Sequence, residues 1–264
     1  MELVSYMAIN ASSDLAKERG SYASYEGSLW SQGILPLDSI EILEKQRGTD
    51  YIEVDKTTRL DWETLRKKVI SQGMRNSNTM AIAPTATIAN ITGLTQSIEP
   101  TYSNLFVKSN LSGEFTVINM HLVDALKEID MWDEVMVYDL KNLNGSLESI
   151  ARVPEETKRL FATSFEVEPK WLIEAASRRQ KWIDQSQSLN LYVSEPNGKK
   201  LDVMYRMAWL RGLKTTYYLR SRSATTTEKS TITNLELNAV KTEPKNYEQP
   251  EACSIDDPDC EACQ

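Results

Sequence analysis

The chain changes character at Arg222. The stretch that follows, "SATTTEKSTITNLELNAVKTEPKNYEQPEACSIDDPDCEACQ", is rich in Thr, Ser, Glu, Asp, Asn and Pro and poor in large apolar side chains. Such a segment cannot bury enough apolar surface to offset the entropy of ordering it. The hydrophobic core is therefore confined to residues 1–221, and residues 222–264 are expected to form a disordered, flexible tail. A flexible chain of roughly forty residues has an r.m.s. span of about 35 Å.

Within residues 1–221, helical and extended patterns alternate. Leu3, Met7, Ala11 and Leu15 recur at helical spacing with Val4 and Ala8 beside them, which predicts a first helix with that stripe facing a core and a stop at Gly20. Met1 stands directly before this helix, so the chain is expected to begin inside a fold. Asp38 or Ser39 is expected to cap a short helix through Lys45. Asp61 is expected to cap a second, "DWETLRKKVISQG", with Trp62, Leu65, Val69 and Ile70 inward and Gly73 ending it. "NTMAIAP" reads as a short strand stopped by Pro84, and "SNLFVKSN" and "GEFTVIN" as further extended pieces. Helices are predicted at 120–129, 133–142, 155–163 and 170–185, followed by a strand "LNLYVSEP", a helical stripe of Leu201, Met204, Tyr205 and Ala208, and a last strand "TTYYLR". The alternation places the chain in the α/β class.

Composition excludes several roles. No apolar run approaches the roughly 20 residues of a membrane helix, and the first residues lack the basic start and apolar core of a signal peptide. A net charge of −8 argues against nucleic acid as the main partner. All three cysteines lie in the last twelve residues and cannot staple a fold, which fits a reducing, cytoplasmic setting. A single histidine, His121, leaves little room for a histidine-based metal site or a Ser-His-Asp triad.

Three stretches carry chemistry. Cys260 and Cys263 form a C-x-x-C pair beside Asp256, Asp257, Asp259 and Glu261, whose charges favour the neutral thiols. The pair reads as a redox dithiol, a partial metal site lacking further ligands, or a chance spacing; Cys253 fits none of these. Tyr217 and Tyr218 read either as two strand residues on opposite faces or as a pair that passes an electron and a proton, which requires the rings to touch and the backbone to leave strand geometry. In "MAIAPTATIANITG", the turn at Pro84, Thr85, Ala86, Thr87 and Ile88 reads as a helix start, expected near Ile88 with Thr85 or Thr87 as caps, and its free N–H groups suit an anion. Glu99 and Asp184 read as loop carboxylates, and "SRRQKWID" as a solvated helix face.

Together, "YASYEGSLWSQGIL", "RNSNTMAIAPTATIANITG", "SIEPTYSNLFVKSNLSGEF", "WIDQSQSLNLYVSEP", "RGLKTTYYLRSR" and the terminal "CEACQ" resemble, in order, the C-terminal third of the large catalytic subunits of class I ribonucleotide reductases. The resemblance implies the C-terminal part of a ten-stranded α/β barrel. It implies that residues 84–88 hold the diphosphate of a ribonucleoside diphosphate. It makes Tyr217 and Tyr218 a radical-transfer relay and Cys260 and Cys263 a shuttle dithiol re-reduced by thioredoxin or glutaredoxin. No cofactor would bind this chain directly; the oxidising equivalent would come from the metal-radical cofactor of a small subunit. The family's Asn-x-Cys-x-Glu pattern, which carries the thiyl-radical cysteine, is missing here, as is the active-site cysteine pair. The resemblance therefore implies catalysis only with a chain supplying the N-terminal portion of the large subunit, and an apolar face left open for it. The competing reading is a non-catalytic assembly or thioredoxin-docking protein that keeps the fold.

Overall fold

Helix α1 (Glu2–Arg19) opens the computed structural model, which describes residues 1–110 and 113–222. The expected tail, with Cys253, Cys260 and Cys263, lies outside the described residues. Gly20 ends α1 with φ 78°, as its position predicts, but the expected inward stripe is wrong. Leu3, Val4 and Met7 are 61%, 57% and 54% exposed, while Ser5, Ile9, Ser12, Ser13 and Ala16 are buried. The small buried face packs on α3 (Trp62–Gln72), and short side chains let two helix axes come close. Periodicity identified residues that share a face; packing chose the other face.

Between them, α2 (Ser39–Arg47) lies where a short helix was expected, after a single 3-10 turn, but Asp38 makes no side-chain cap bond to it and instead accepts the Leu35 N–H at 2.7 Å. Helix α3 starts where Asp61 accepts the Thr64 N–H at 3.0 Å and ends at Gly73, where φ is 84° and a Cβ would collide with Ser21. Trp62, Leu65 and Val69 are buried, but Ile70 is half exposed, contrary to expectation. Trp62 stacks on Trp182 at 5.5 Å, and its Nε1 donates to Glu2 Oε1 at 2.9 Å, fastening the start of α1.

Strands β1 (Leu105–Asn110) and β2 (Gly113–Ile118) pair antiparallel, with Leu105 opposite Ile118. Helices α5 (Met120–Glu128), α6 (Glu134–Asn142) and α7 (Glu155–Leu160) follow, at the expected places but with shorter C-terminal ends for α5 and α7. Leu122, Leu126, Met136, Leu140 and Ile150 make a separate core under these strands. Asp133 caps α6, accepting the Met136 N–H at 2.7 Å, and takes both Arg152 terminal nitrogens at 2.6 Å. Those bonds, the Arg152 pair foremost, lower its pKa from 3.8 to about 2. A depressed carboxylate contributes stability above its unfolded pKa and loses it as pH falls through the folded value. Asp133→Asn is therefore expected to lower stability at pH 7 by about 1 kcal/mol, a figure discounted for the half-exposed carboxylate. Urea titrations at pH 7 and near pH 2 check this: the gap to the native chain should close at the acid end, and an equal gap at both would refute the charge pairing.

The third region joins α8 (Pro169–Gln180), β3 (Leu191–Val193), α9 (Gly198–Leu210) and β4 (Leu219–Ser221) around Ile173, Ala176, Leu191, Met204 and Ala208. Strands β3 and β4 are parallel, with Leu191 opposite Leu219 and Tyr192 opposite Arg220. The expected strand before Pro84 is reduced to one parallel bridge, Ile82 to Gln187. Among the described residues the chain thus has mixed α/β content, but its strands close no barrel. The "SRRQKWID" stretch is not a solvated face. Lys181 is only 4% exposed, its Nζ donating to the carbonyls of Asp55 and Thr57 at 2.6 and 2.8 Å and lying 4.6 Å from the Trp182 ring. Burial pushes its pKa down, opposed by Asp55 and Glu2.

Candidate functional site

The site is built on one central segment, residues 186–193. Ile82 donates to the Ser186 carbonyl at 3.3 Å and accepts from the Ser188 N–H at 2.8 Å. Tyr217 donates to the Leu189 carbonyl at 2.7 Å, and Leu191 donates to the Tyr218 carbonyl at 2.9 Å. The run leading into the Pro84 turn and the run carrying the tyrosines therefore use different backbone groups of the same extended segment. In parallel α/β arrangements, the ends of adjacent strands are where binding groups converge.

The turn differs from its expected form. Helix α4 (Ala86–Thr92) begins two residues earlier than Ile88. Neither Thr85 nor Thr87 caps it in the expected way: Thr85 stands at the N-cap in a left-handed conformation, φ 52°, without a side-chain cap bond. Its Oγ1 instead accepts the Ser97 N–H at 2.9 Å, and Ser97 also has a positive φ, 54°. Two non-glycine residues in this region store strain that the crossing bond holds in place. Thr85 Oγ1 thus serves as an acceptor for the crossing bond, and among the described residues no acceptor is assigned to its hydroxyl proton. Thr87 and Ile88 are exposed.

Tyr217 and Tyr218 precede β4 rather than lying within it. Their rings approach to 4.0 Å between centroids at 44°, and the hydroxyls are 3.2 Å apart. Both side chains are about half exposed, so the pair faces outward from the fold. The bond to Tyr218 raises the Tyr217 pKa above the ordinary 10, keeping the phenol neutral. Lys214 anchors the approach to the pair, its Nζ donating to the carbonyls of Asp184 and Gln185 at 3.1 and 3.0 Å. Arg220 lies over the Tyr218 ring at 5.3 Å.

Glu99 and Asp184 are not free loop carboxylates. Asp184 accepts the Thr79 and Met80 N–H groups at 2.6 and 2.8 Å, holding the run that enters the turn. Glu99 binds Asn190 and Tyr192, which flank the tyrosine run. Sequence reading missed Asn190, Tyr192 and Arg220; their alternate spacing in "NLY" and opposite "YLR" was the available signal, since i and i+2 share a strand face. Cys260 and Cys263 lie outside the described residues. Among those residues no group of three or more His, Cys, Asp or Glu side chains is placed to hold a metal, and no helix is long and apolar enough to cross a membrane.

The ribonucleotide reductase barrel domain matches residues 1–219. The ribonucleoside-diphosphate reductase subunit alpha of Chlamydia muridarum is 53% identical over 277 aligned positions, which take in 100% of this chain and 26% of that protein. The large subunit from Trypanosoma brucei brucei is 39% identical, over 94% of this chain and 30% of its own length. The class Id ribonucleotide reductase alpha subunit of Actinobacillus ureae superposes with a TM-score of 0.52 at 26% identity, over 85% of this chain and 36% of that structure. The chain thus spans about a quarter to a third of the length of these curated relatives. On the match over residues 1–219, the chain belongs to the ribonucleotide reductase barrel-domain family.

Proposed function

We propose that this chain is the C-terminal portion of the catalytic subunit of a ribonucleoside-diphosphate reductase, supplying the substrate-phosphate turn, the radical relay and the shuttle dithiol. The observation that carries the reading is the contact of Tyr217 and Tyr218, hydroxyls 3.2 Å apart, in a chain of this family. An oxidised Tyr218 takes one electron and the bridging proton from Tyr217; Tyr218 returns to a phenol and the radical stands on Tyr217. The atoms barely move, because the proton crosses an existing hydrogen bond. The metal-radical cofactor that starts this transfer belongs to a small subunit, and the thiyl-forming cysteine to the N-terminal portion of the large one.

The turn at Pro84, Thr85, Ala86, Thr87 and Ile88 receives the diphosphate of the substrate, with the Thr85 hydroxyl and the amides at the start of α4 as donors. After turnover, Cys260 and Cys263 reduce the active-site disulfide by thiol exchange, become a disulfide themselves, and are reduced again by thioredoxin or glutaredoxin. The alignment with the Chlamydia muridarum protein takes in 100% of this chain, residues 223–264 included, which supports keeping the tail in this scheme. Partnership with an N-terminal portion is supported by the exposed Leu3, Val4 and Met7 of α1 and Ile88 and Ile91 of α4. Cytoplasmic location follows from the same reading.

Reconstitution tests it. This chain, a chain carrying the rest of a large subunit and a small subunit are mixed with a ribonucleoside diphosphate and dithiol. Deoxyribonucleoside diphosphate is expected only from the complete mixture. No product from components that are folded and competent with an intact large subunit would leave the non-catalytic docking protein as the better reading.

A further inference from the structure

Glu99 sits two residues beyond Ser97, half buried, with its carboxylate turned into the sheet. Oε1 accepts the Asn190 backbone N–H at 2.8 Å. Oε2 accepts the Asn190 Nδ2 at 3.0 Å and the Tyr192 hydroxyl at 2.8 Å. Asn190 and Tyr192 are 5% and 6% exposed, so these bonds are sheltered from competing water. The other end of the Asn190 carboxamide, Oδ1, accepts the Tyr218 N–H at 3.3 Å.

An ionised carboxylate only accepts hydrogen bonds, whereas a carboxamide has one accepting and one donating end. By accepting from Nδ2, Glu99 forces the Asn190 oxygen towards Tyr218. With the amide flipped, an NH2 group would face the Tyr218 N–H, donor against donor, and the tyrosine backbone would lose that hold. We propose that Glu99 is a positioning residue for the radical relay: it sets the orientation of Asn190, which seats Tyr218 against Tyr217. Glu99 touches neither tyrosine ring and neither reacting hydroxyl; it acts through Asn190. The inference rests on the relay reading above. It adds a residue that acts, through Asn190, on the run before β4 that carries the relay.

The test is a two-by-two set in the assembled enzyme: native, Glu99→Gln, Asn190→Asp, and both together. Glu99→Gln offers a donor where an acceptor is needed and is expected to lower kcat about 10- to 100-fold, because small misplacements of reacting groups cost that much. KM for the ribonucleoside diphosphate stays within about twofold, the relay being separate from substrate binding. In the Asn190→Asp background two carboxylates face each other. There Glu99→Gln restores a donor–acceptor pair of reversed polarity, with the carboxylate introduced at position 190 still accepting from the Tyr218 N–H, and is expected to raise kcat about tenfold. The same substitution thus hurts in one background and helps in the other, a sign change that a merely space-filling Glu99 cannot produce. Should Glu99→Gln alone fail to assemble, the Asn190→Asp pair still reads the effect. Unchanged kcat in Glu99→Gln, a rise in KM alone, or the same sign in both backgrounds would overturn the proposal. Tyr218→Phe, run beside them, separates the two ideas. If it keeps turnover, the relay reading itself fails. If it is inactive while Glu99→Gln behaves as native, only the positioning role fails.

Discussion

Tyr217→Phe is expected to abolish turnover of the reconstituted enzyme, with kcat falling by about three orders of magnitude or more, while affinity for the ribonucleoside diphosphate stays nearly unchanged. Phenylalanine fills the same volume beside Tyr218 but has no hydroxyl proton to give, so the transfer across the 3.2 Å bond has no donor. The effect is separable from stability. The Tyr217 side chain is 45% exposed and its hydroxyl bonds to another half-exposed phenol, so its loss is expected to leave folding stability nearly unchanged. Thermal unfolding and equilibrium nucleotide binding on the same preparation check that separation. Substantial residual turnover would end the relay reading. So would a loss of activity matched by a loss of folding or of nucleotide binding.

Replacing both Cys260 and Cys263 by Ser is expected to stop thioredoxin-driven catalysis after about one turnover per assembled enzyme, because serine cannot exchange with a disulfide. A small dithiol that reaches the active-site disulfide unaided should keep the variant turning over. The acidic neighbours Asp256, Asp257, Asp259 and Glu261 are expected from the sequence to favour the neutral thiols, so the thioredoxin-driven rate of the native enzyme should rise as pH increases above neutrality. Rapid-quench counting of product per enzyme measures the first effect. Undiminished multiple turnover with thioredoxin would show that the pair is not the shuttle.

Much of the local structure was legible because its causes are local. Asp61 and Gly73 bracket α3 through a side-chain cap and a left-handed stop, each readable within a few residues. The extended runs of β1 and β2 were legible as such, though not their pairing, and the stripe of α9 held for Met204 and Ala208, which are buried, but not for Tyr205, which is exposed. The failures have one origin. For α1, spacing grouped Leu3 with Met7, Ala11 and Leu15, but only the packing against α3 decided that the face carrying Ser5, Ile9 and Ser12 goes in. Lys181 looked solvated because its partners, the carbonyls of Asp55 and Thr57, are more than a hundred residues earlier. Glu99 and Asn190 are 91 positions apart, and neither has a local pattern that announces the other.

The sequence by itself determined the α/β class, the family and most helix positions, because propensity, capping and motif order depend on neighbours along the chain. Only the tertiary structure decided which faces are buried, that the Tyr217 and Tyr218 rings meet at 4.0 Å instead of alternating across a strand, and that Glu99 and Asn190 hold them. Those outcomes depend on desolvation and hydrogen bonding between distant segments, and such energies exist only once the chain has brought them together.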